Sequence, residues 1–130
     1  MPAGTIEDGL QHLLNRLERG QFSPIAPSSP AGAIARQCEV EPAGVRYTRR
    51  SAGWNDVTVG YNLTLRRAGE VNFAVMKELI TEANSLYRVI QAAKDATYEV
   101  SGDADYDWNY EAGTALTMLV TVRHSQPNGT

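Results

Sequence analysis

The stretch from Asp56 to Arg66, DVTVGYNLTLR, decides the fold because apolar and polar residues alternate along it. One set of alternate positions is apolar: Val57, Val59, Tyr61, Leu63 and Leu65. The other set is polar: Asp56, Thr58, Asn62, Thr64 and Arg66. A period of two places such sets on opposite faces of a strand, one buried and one wet. The stretch therefore predicts a half-buried antiparallel strand.

Two amphipathic helices are predicted, one before and one after this strand. The first starts after the capping residue Thr5 and ends at Gly20, and its apolar face comprises Ile6, Leu10, Leu13, Leu14 and Leu17. The second runs from about Asn72 to Gln91, with an apolar stripe of Met76, Leu79, Ile80, Ala83, Leu86, Tyr87 and Ile90. Stripes of this width are typical of helices that cover a sheet.

Shorter strands are predicted around these elements. Residues 33–40 and 45–51 are predicted as two strands separated by a Pro-Ala-Gly turn, and alternation returns from Thr114 to Arg123. The sequence thus predicts an α+β fold. It would have a mainly antiparallel sheet with two helices packed on one face, in the order helix, strands, helix, strands.

The length of 130 residues predicts a single domain, residues 1–130, large enough to bury a core without disulfides or metals. Three prolines between residues 21 and 32 predict a proline-rich arm, and the polar residues 124–130 predict a mobile tail. The single cysteine, Cys38, can form neither an internal disulfide nor a thiolate metal cluster. No apolar run approaches the roughly 18 residues of a membrane span, so no membrane partner is expected.

The charge balance also bounds the function. A formal net charge of −3 argues against a surface that grips nucleic acid by neutralising phosphates. Arginine supplies almost all of the positive charge. Arginine suits bidentate pairing with carboxylates at protein interfaces, although a GC-rich coding genome would produce the same bias.

Residues 103–113, DADYDWNYEAG, carry aspartates at alternate positions with aromatic residues among them. Asp103, Asp105 and Asp107 match the first, third and fifth positions of an EF-hand calcium loop. The sixth position, normally glycine, is Trp108, and the twelfth, which requires a bidentate glutamate, is Thr114. The stretch therefore departs from a calcium loop, and a small divalent-metal-binding domain built on these acids stays a lesser alternative.

Catalytic chemistry has little support in the sequence. A carboxylate pair for glycoside hydrolysis needs a pocket, and an Asp-x-Asp pair for nucleotide-sugar chemistry needs a phosphate-binding glycine loop. His12 and His124 lack a serine or cysteine partner in a recognisable motif. We therefore expect no enzymatic activity, no cofactor and no resident metal.

Strand parity gives a geometric interpretation of the acidic stretch. In an extended strand, Tyr106, Trp108 and Tyr110 would continue the core face, and the acids would continue the other face: Asp103, Asp105, Asp107 and Glu111. Those acids are either solvated or paired with arginines of another copy of the chain. The candidate arginines are two sequence pairs: Arg49 with Arg50, and Arg66 with Arg67.

Several segments together resemble the tail-terminator proteins of long-tailed bacteriophages. These are an opening amphipathic helix, a strand led by Trp54 with the alternation VTVGYNLTL, the long helix FAVMKELITEANSLYRVI and the closing acidic segment YDWNYEAGTALTMLVTV. The resemblance covers about residues 5–123. The proline-rich arm departs from the shortest members of that family. Related folds occur in other neck and head-tail connector components, which stay an alternative.

This resemblance implies a structural virion protein that forms a hexameric ring. The ring would cap the tail tube, end its polymerisation and join the tail to the head connector. Its partners would be further copies of the chain, the tail tube protein and the connector protein, with genome DNA passing through the lumen without specific binding. The protein would lie at the neck end of the virion tail after assembly in the host cytoplasm. The acids would face either a neighbour's arginines or the lumen, where they would repel DNA phosphates.

Overall fold

The computed structural model describes residues 3–27, 35–92 and 95–127, except the side chains of Asp103 and Ala104. The elements along the chain are α1 (Ile6–Arg19), β1 (Ser23–Ile25), β2 (Gln37–Ser51), β3 (Trp54–Arg67), α2 (Phe73–Gln91), β4 (Glu99–Asn109) and β5 (Thr114–Pro127). The strands form one sheet in the order β1-β2-β3-β5-β4. β3, the strand with the clearest alternation, therefore lies in the middle of the sheet.

The predicted fold class is wrong. The sheet is mixed, because β1 runs parallel to β2 while the other neighbouring strands are antiparallel. The observed order is α1-β1-β2-β3-α2-β4-β5, and strand is the dominant secondary structure. The sequence did not indicate β1, since a strand of only Ser23–Ile25 with a central proline has no measurable alternation.

The two strands predicted at 33–40 and 45–51 are one long strand, β2. Pro42 and Gly44 lie at a register shift in its pairing with β3, and a proline is tolerated at such a bulge on an edge strand. Residues 33 and 34 lie outside the described part of the chain. The predicted turn at Pro42 is thus a local irregularity within a continuous hairpin arm.

The predicted arm and tail both contribute strand. Within residues 21–32, Phe22 is buried and residues 23–25 form β1, whereas residues 28–32 lie outside the described part. Contrary to the mobile tail predicted from residue 124, β5 continues to Pro127, and its residues His124 and Ser125 are buried. Residues 128–130 lie outside the described part.

Both helices pack against the same apolar face of the sheet. Their predicted starts are confirmed, because Thr5 accepts a hydrogen bond from the Asp8 N–H and Asn72 accepts one from the Val75 N–H. The core they share with the sheet includes Leu13, Leu17, Leu79, Leu86, Ile90, Val57, Tyr61, Leu63, Leu65, Leu116, Met118 and Val120. Each such side chain contributes about 1.5–3 kcal/mol when fully buried. Neither helix in the described part is long and apolar enough to cross a membrane.

The opposite face of the sheet, here called the open face, carries no helix of the described part. It is rich in hydroxyl groups: Thr64 bonds Thr117 and Ser101 bonds Thr121 across neighbouring strands, each at 2.9 Å. Such cross-strand hydroxyl pairs stabilise a sheet without burying apolar area. The helices therefore leave the molecule with one covered and one polar face.

Candidate assembly interface

The acidic stretch lies at one edge of the sheet. β4 pairs only with β5 in the described part of the chain, so its other side exposes unpaired backbone groups. Tyr106 and Trp108 are half-buried against the core, as parity predicted, and the Tyr106 hydroxyl lies 3.4 Å from the Ala83 carbonyl oxygen, to which it donates. β4 ends at Asn109, so Tyr110 leaves the core face, is 47 % exposed and stacks on Trp108.

The predicted row of four acids is only partly assembled. Asp105 and Asp107 are exposed, and Asp107 pairs with Thr117 on the open face. Glu111 lies in the turn after β4, where its N–H donates to the Asn109 side chain at 2.9 Å. The side chain of Asp103 lies outside the described part. Among the described residues, no group of three or more His, Cys, Asp or Glu side chains could hold a metal ion.

Arg66 and Arg67 are engaged within their own subunit. The Arg66 guanidinium donates to the Glu39 carboxylate at 2.8 Å on the open face. Arg67 is 8 % exposed and donates to Glu82, a carboxylate that is also buried and also accepts the Arg36 N–H at 2.8 Å. A buried arginine needs such partners because an unpaired buried charge is strongly destabilising. The structure therefore does not bring this pair to a free edge.

Arg49 and Arg50 lie at the far end of β2, near the tip of the β2–β3 hairpin. Arg50 donates to the Ser125 hydroxyl at 3.0 Å and lies 3.9 Å from the Asp56 carboxylate. Arg49 is exposed, as is Arg46, and neither guanidinium makes a hydrogen bond or ion pair with another described residue. Arg46 was missed from the sequence because it has no arginine neighbour to draw attention to it.

The free part of β2 is also apolar on the side that faces the helices elsewhere. Val45 and Tyr47 pair with the core residues Val59 and Val57, yet they are 49 % and 57 % exposed. Every residue from Glu41 to Ser51 is exposed, which shows that no described element covers Val45 and Tyr47. The alternation of Val45, Arg46 and Tyr47 was visible in the sequence, but it gave no sign that the helices stop short of this end.

The sheet thus has two unlike edges. β4 with the exposed Asp105 and Asp107 is here called the acidic edge, and β2 from Glu41 to Ser51, with Arg46 and Arg49, is called the basic edge. In the described part of the chain, β1 covers β2 only from Gln37 to Glu39, so the basic edge is unpaired on its outer side. Two unpaired edges of opposite charge are features that favour pairing with another chain.

A polar cleft of about 360 Å³ lies where the hairpin meets the start of β4. Arg50, Asp56, Glu99 and Arg123 line it as two opposite-charge pairs, with Arg123 donating to Glu99 at 2.8 Å. His124 also lines it, but its imidazole is 3 % exposed and packs edge-on against Tyr98. His124 is therefore a packed residue of the sheet rather than part of a frayed end.

No protein-family model matches the chain. A stretch of 84 residues, 65 % of the chain, is 30 % identical to part of the flagellar hook-associated protein 2 of Campylobacter jejuni. The match spans 13 % of the length of that protein. The similarity therefore concerns a segment of a much larger protein.

Proposed function

We propose that this chain is a structural, non-catalytic assembly protein whose copies join edge to edge in a closed ring. The observation that carries this proposal is that one subunit has two sheet edges of opposite charge, neither paired with another strand of the described residues. When one surface complements a different surface of the same molecule, copies associate head to tail, and a rotation that closes gives a ring.

The biological role that we propose for the ring is that of a phage tail terminator, following the resemblance in element character along the chain. In such a ring of six copies, the helices would lie outside and the open face would line the lumen. Charged side chains of that face form ion pairs, as Arg66 does with Glu39 and Arg123 with Glu99. A hydroxyl-rich, charge-balanced lumen would let DNA pass without specific binding.

A second candidate follows from the partial similarity to flagellar hook-associated protein 2. In that case the chain would be a segment that associates with a flagellar hook. Both candidates are structural roles in protein assemblies, and they differ in the partner. Co-sedimentation of the purified chain with isolated phage tail tubes or with isolated flagellar hooks separates them.

The ring itself is tested by native mass spectrometry and negative-stain microscopy of the 14.2 kDa chain over a range of concentrations. We expect a species of six copies that appears as annular particles and weakens at high salt, since its charge pairs are partly exposed. A chain that stays monomeric at every concentration contradicts the proposal. The charge-reversed variant Glu18→Arg, on the exposed face of α1, is the matched control and should assemble normally.

A further inference from the structure

Strand direction determines how two copies can continue one sheet. β2, β3, β5 and β4 are each antiparallel to their neighbour, so β4 runs opposite to β2 within a subunit. A rotation about an axis along the strands preserves strand direction. The acidic edge of one copy would therefore meet the basic edge of the next in antiparallel orientation.

Electrostatics favours the pairing of an acidic edge with a basic edge over the pairing of two like edges. Two acidic edges would bring Asp105 and Asp107 against their own copies, and two basic edges would do the same for Arg46 and Arg49. Like charges directly opposite each other destabilise a sheet, whereas opposite charges stabilise it. Of these pairings, only that of an acidic edge with a basic edge brings opposite charges together.

β1 limits the register of this pairing. In the subunit's own register, Asp107 is level with Thr117, Thr64 and finally Glu39. That position on β2 is already occupied by β1, which pairs through Glu39. An incoming β4 must therefore slide toward the hairpin tip, away from Glu39 and toward Arg46.

One register satisfies both the charges and the apolar side chains. With Asp107 opposite Arg46 on the open face, the antiparallel count puts Trp108 opposite Val45 on the helix side. The same count puts Tyr106 opposite Tyr47. A slip of one residue would turn every side chain to the wrong face. This register covers the two exposed apolar residues of the basic edge with the aromatic residues of the acidic edge.

We propose, resting on the ring function above, that β4 of one copy pairs antiparallel with β2 of the next copy and that Asp107 faces Arg46 across this interface. The occupant of each free edge is thus a second copy of this chain. β1 acts as the stop that sets the offset between neighbouring subunits.

The test is disulfide trapping with the double variant Arg46→Cys/Asp107→Cys. Directly opposed residues in antiparallel strands have Cβ atoms about 4.5–5.5 Å apart, near the span of a disulfide. Both positions are exposed, so folding should be preserved, and the native Cys38 is buried. The controls are the two single variants and the double variant Arg46→Cys/Glu7→Cys, whose second cysteine lies on the exposed face of α1.

We expect mild oxidation to convert the monomer band into a ladder of covalent oligomers, reversed by reductant and absent from the controls. Annular particles without cross-linking would overturn the register while leaving the ring function intact. Dimers from Asp107→Cys alone would show that acidic edges pair with each other. A wild-type chain that stays a strict monomer at all concentrations would overturn both the ring function and this interface.

Discussion

The chain contains two adjacent-arginine pairs that look alike in sequence and differ in how far their own subunit engages them. Arg66 and Arg67 end β3 and are committed to Glu39 and Glu82 of their own subunit. Arg49, at the hairpin tip, is exposed, and its neighbour Arg50 bonds the partly buried Ser125–Asp56 pair. The difference shows that an arginine pair acquires its role from the acids that the fold places beside it. Arg66 and Arg67 support folding, whereas Arg49 at the hairpin tip is available for assembly.

The largest expected effect tests the folding role of the first pair. Glu82→Ala removes the buried partner of Arg67 and the acceptor of the Arg36 N–H, so it should lower the free energy of unfolding by about 3–5 kcal/mol. Urea unfolding followed by circular dichroism measures this. The control is Glu78→Ala, whose side chain is 65 % exposed at 3.9 Å from Arg67, and which should cost less than about 1 kcal/mol. Equal losses in the two variants would contradict the assignment.

Two glycines, one beside Arg67 and one at the hairpin tip, allow the same two regions to be compared through the backbone. Gly113 has φ +92°, and a Cβ there would lie 2.2 Å from the Arg67 carbonyl oxygen, so Gly113→Ala should cost about 3 kcal/mol through strain and overlap. Gly53 lies at the hairpin tip, where a Cβ meets nothing within 4 Å. Gly53→Ala should stay within about 0.5 kcal/mol of the parent in urea unfolding. A large loss at Gly53 would mean that the tip is packed.

The alkaline limit of stability tests the burial of Cys38, at the Glu39 end of β2. Burial, and then the adjacent Glu39 charge, raise the pKa of the Cys38 thiol from 9.0 to about 12. The folded state therefore retains a proton that the unfolded state loses, and the stability present below pH 9 falls as the pH rises toward 12. At pH 10.5 the loss should be about 2 kcal/mol relative to pH 8.

The variant Cys38→Ala isolates the cysteine contribution. Burial also raises the pKa of Tyr61 and of Tyr106, so part of the alkaline loss remains in this variant. Its decrease in unfolding free energy between pH 8 and pH 10.5 should nevertheless be smaller than that of the parent. An identical decrease in both proteins would show that the thiol ionises freely in the folded state.

Substitutions at the basic edge should have the smallest effect on the stability of the monomer and the largest effect on assembly. Arg46→Ala and Arg49→Ala remove exposed side chains without a partner in the described part of the chain, so unfolding of the monomer should change by less than about 0.5 kcal/mol. Sedimentation velocity should nevertheless show weaker self-association of both variants. Loss of monomer stability without loss of association would show that Arg46 and Arg49 support folding rather than assembly.

The sequence predicted the elements whose burial is periodic. β3 and β5 alternate because one face is packed, and both helices carry wide apolar stripes and recognisable caps. β1 left no signal, because three residues held by parallel pairing to β2 have no period of their own. The continuity of β2 was hidden by Pro42, which the edge position and the bulge accommodate. These misses concern tertiary context, which overrides local preference.

The candidate interface was predictable in residue type but not in partner. The exposed acids of β4 follow from parity, as do the half-buried Tyr106 and Trp108. Which arginines stay available depends on Glu39 and Glu82, which are distant in sequence from the arginines they bind. The exposure of Val45 and Tyr47 depends on where the helices end over the sheet. Neither fact is encoded in the spacing of residues along one strand.

The most direct test of unlike edges pairing between copies is a mixing experiment with two charge-reversed variants. One variant carries Asp105→Arg and Asp107→Arg, and the other carries Arg46→Glu and Arg49→Glu. Each alone presents two edges of the same sign and should stay monomeric by sedimentation velocity. Mixed in equal amounts, they can alternate around an even-numbered ring in which every interface pairs opposite charges. We expect the mixture to regain the assembled mass of the wild type, and a mixture that stays monomeric while the wild type assembles would contradict pairing between unlike edges.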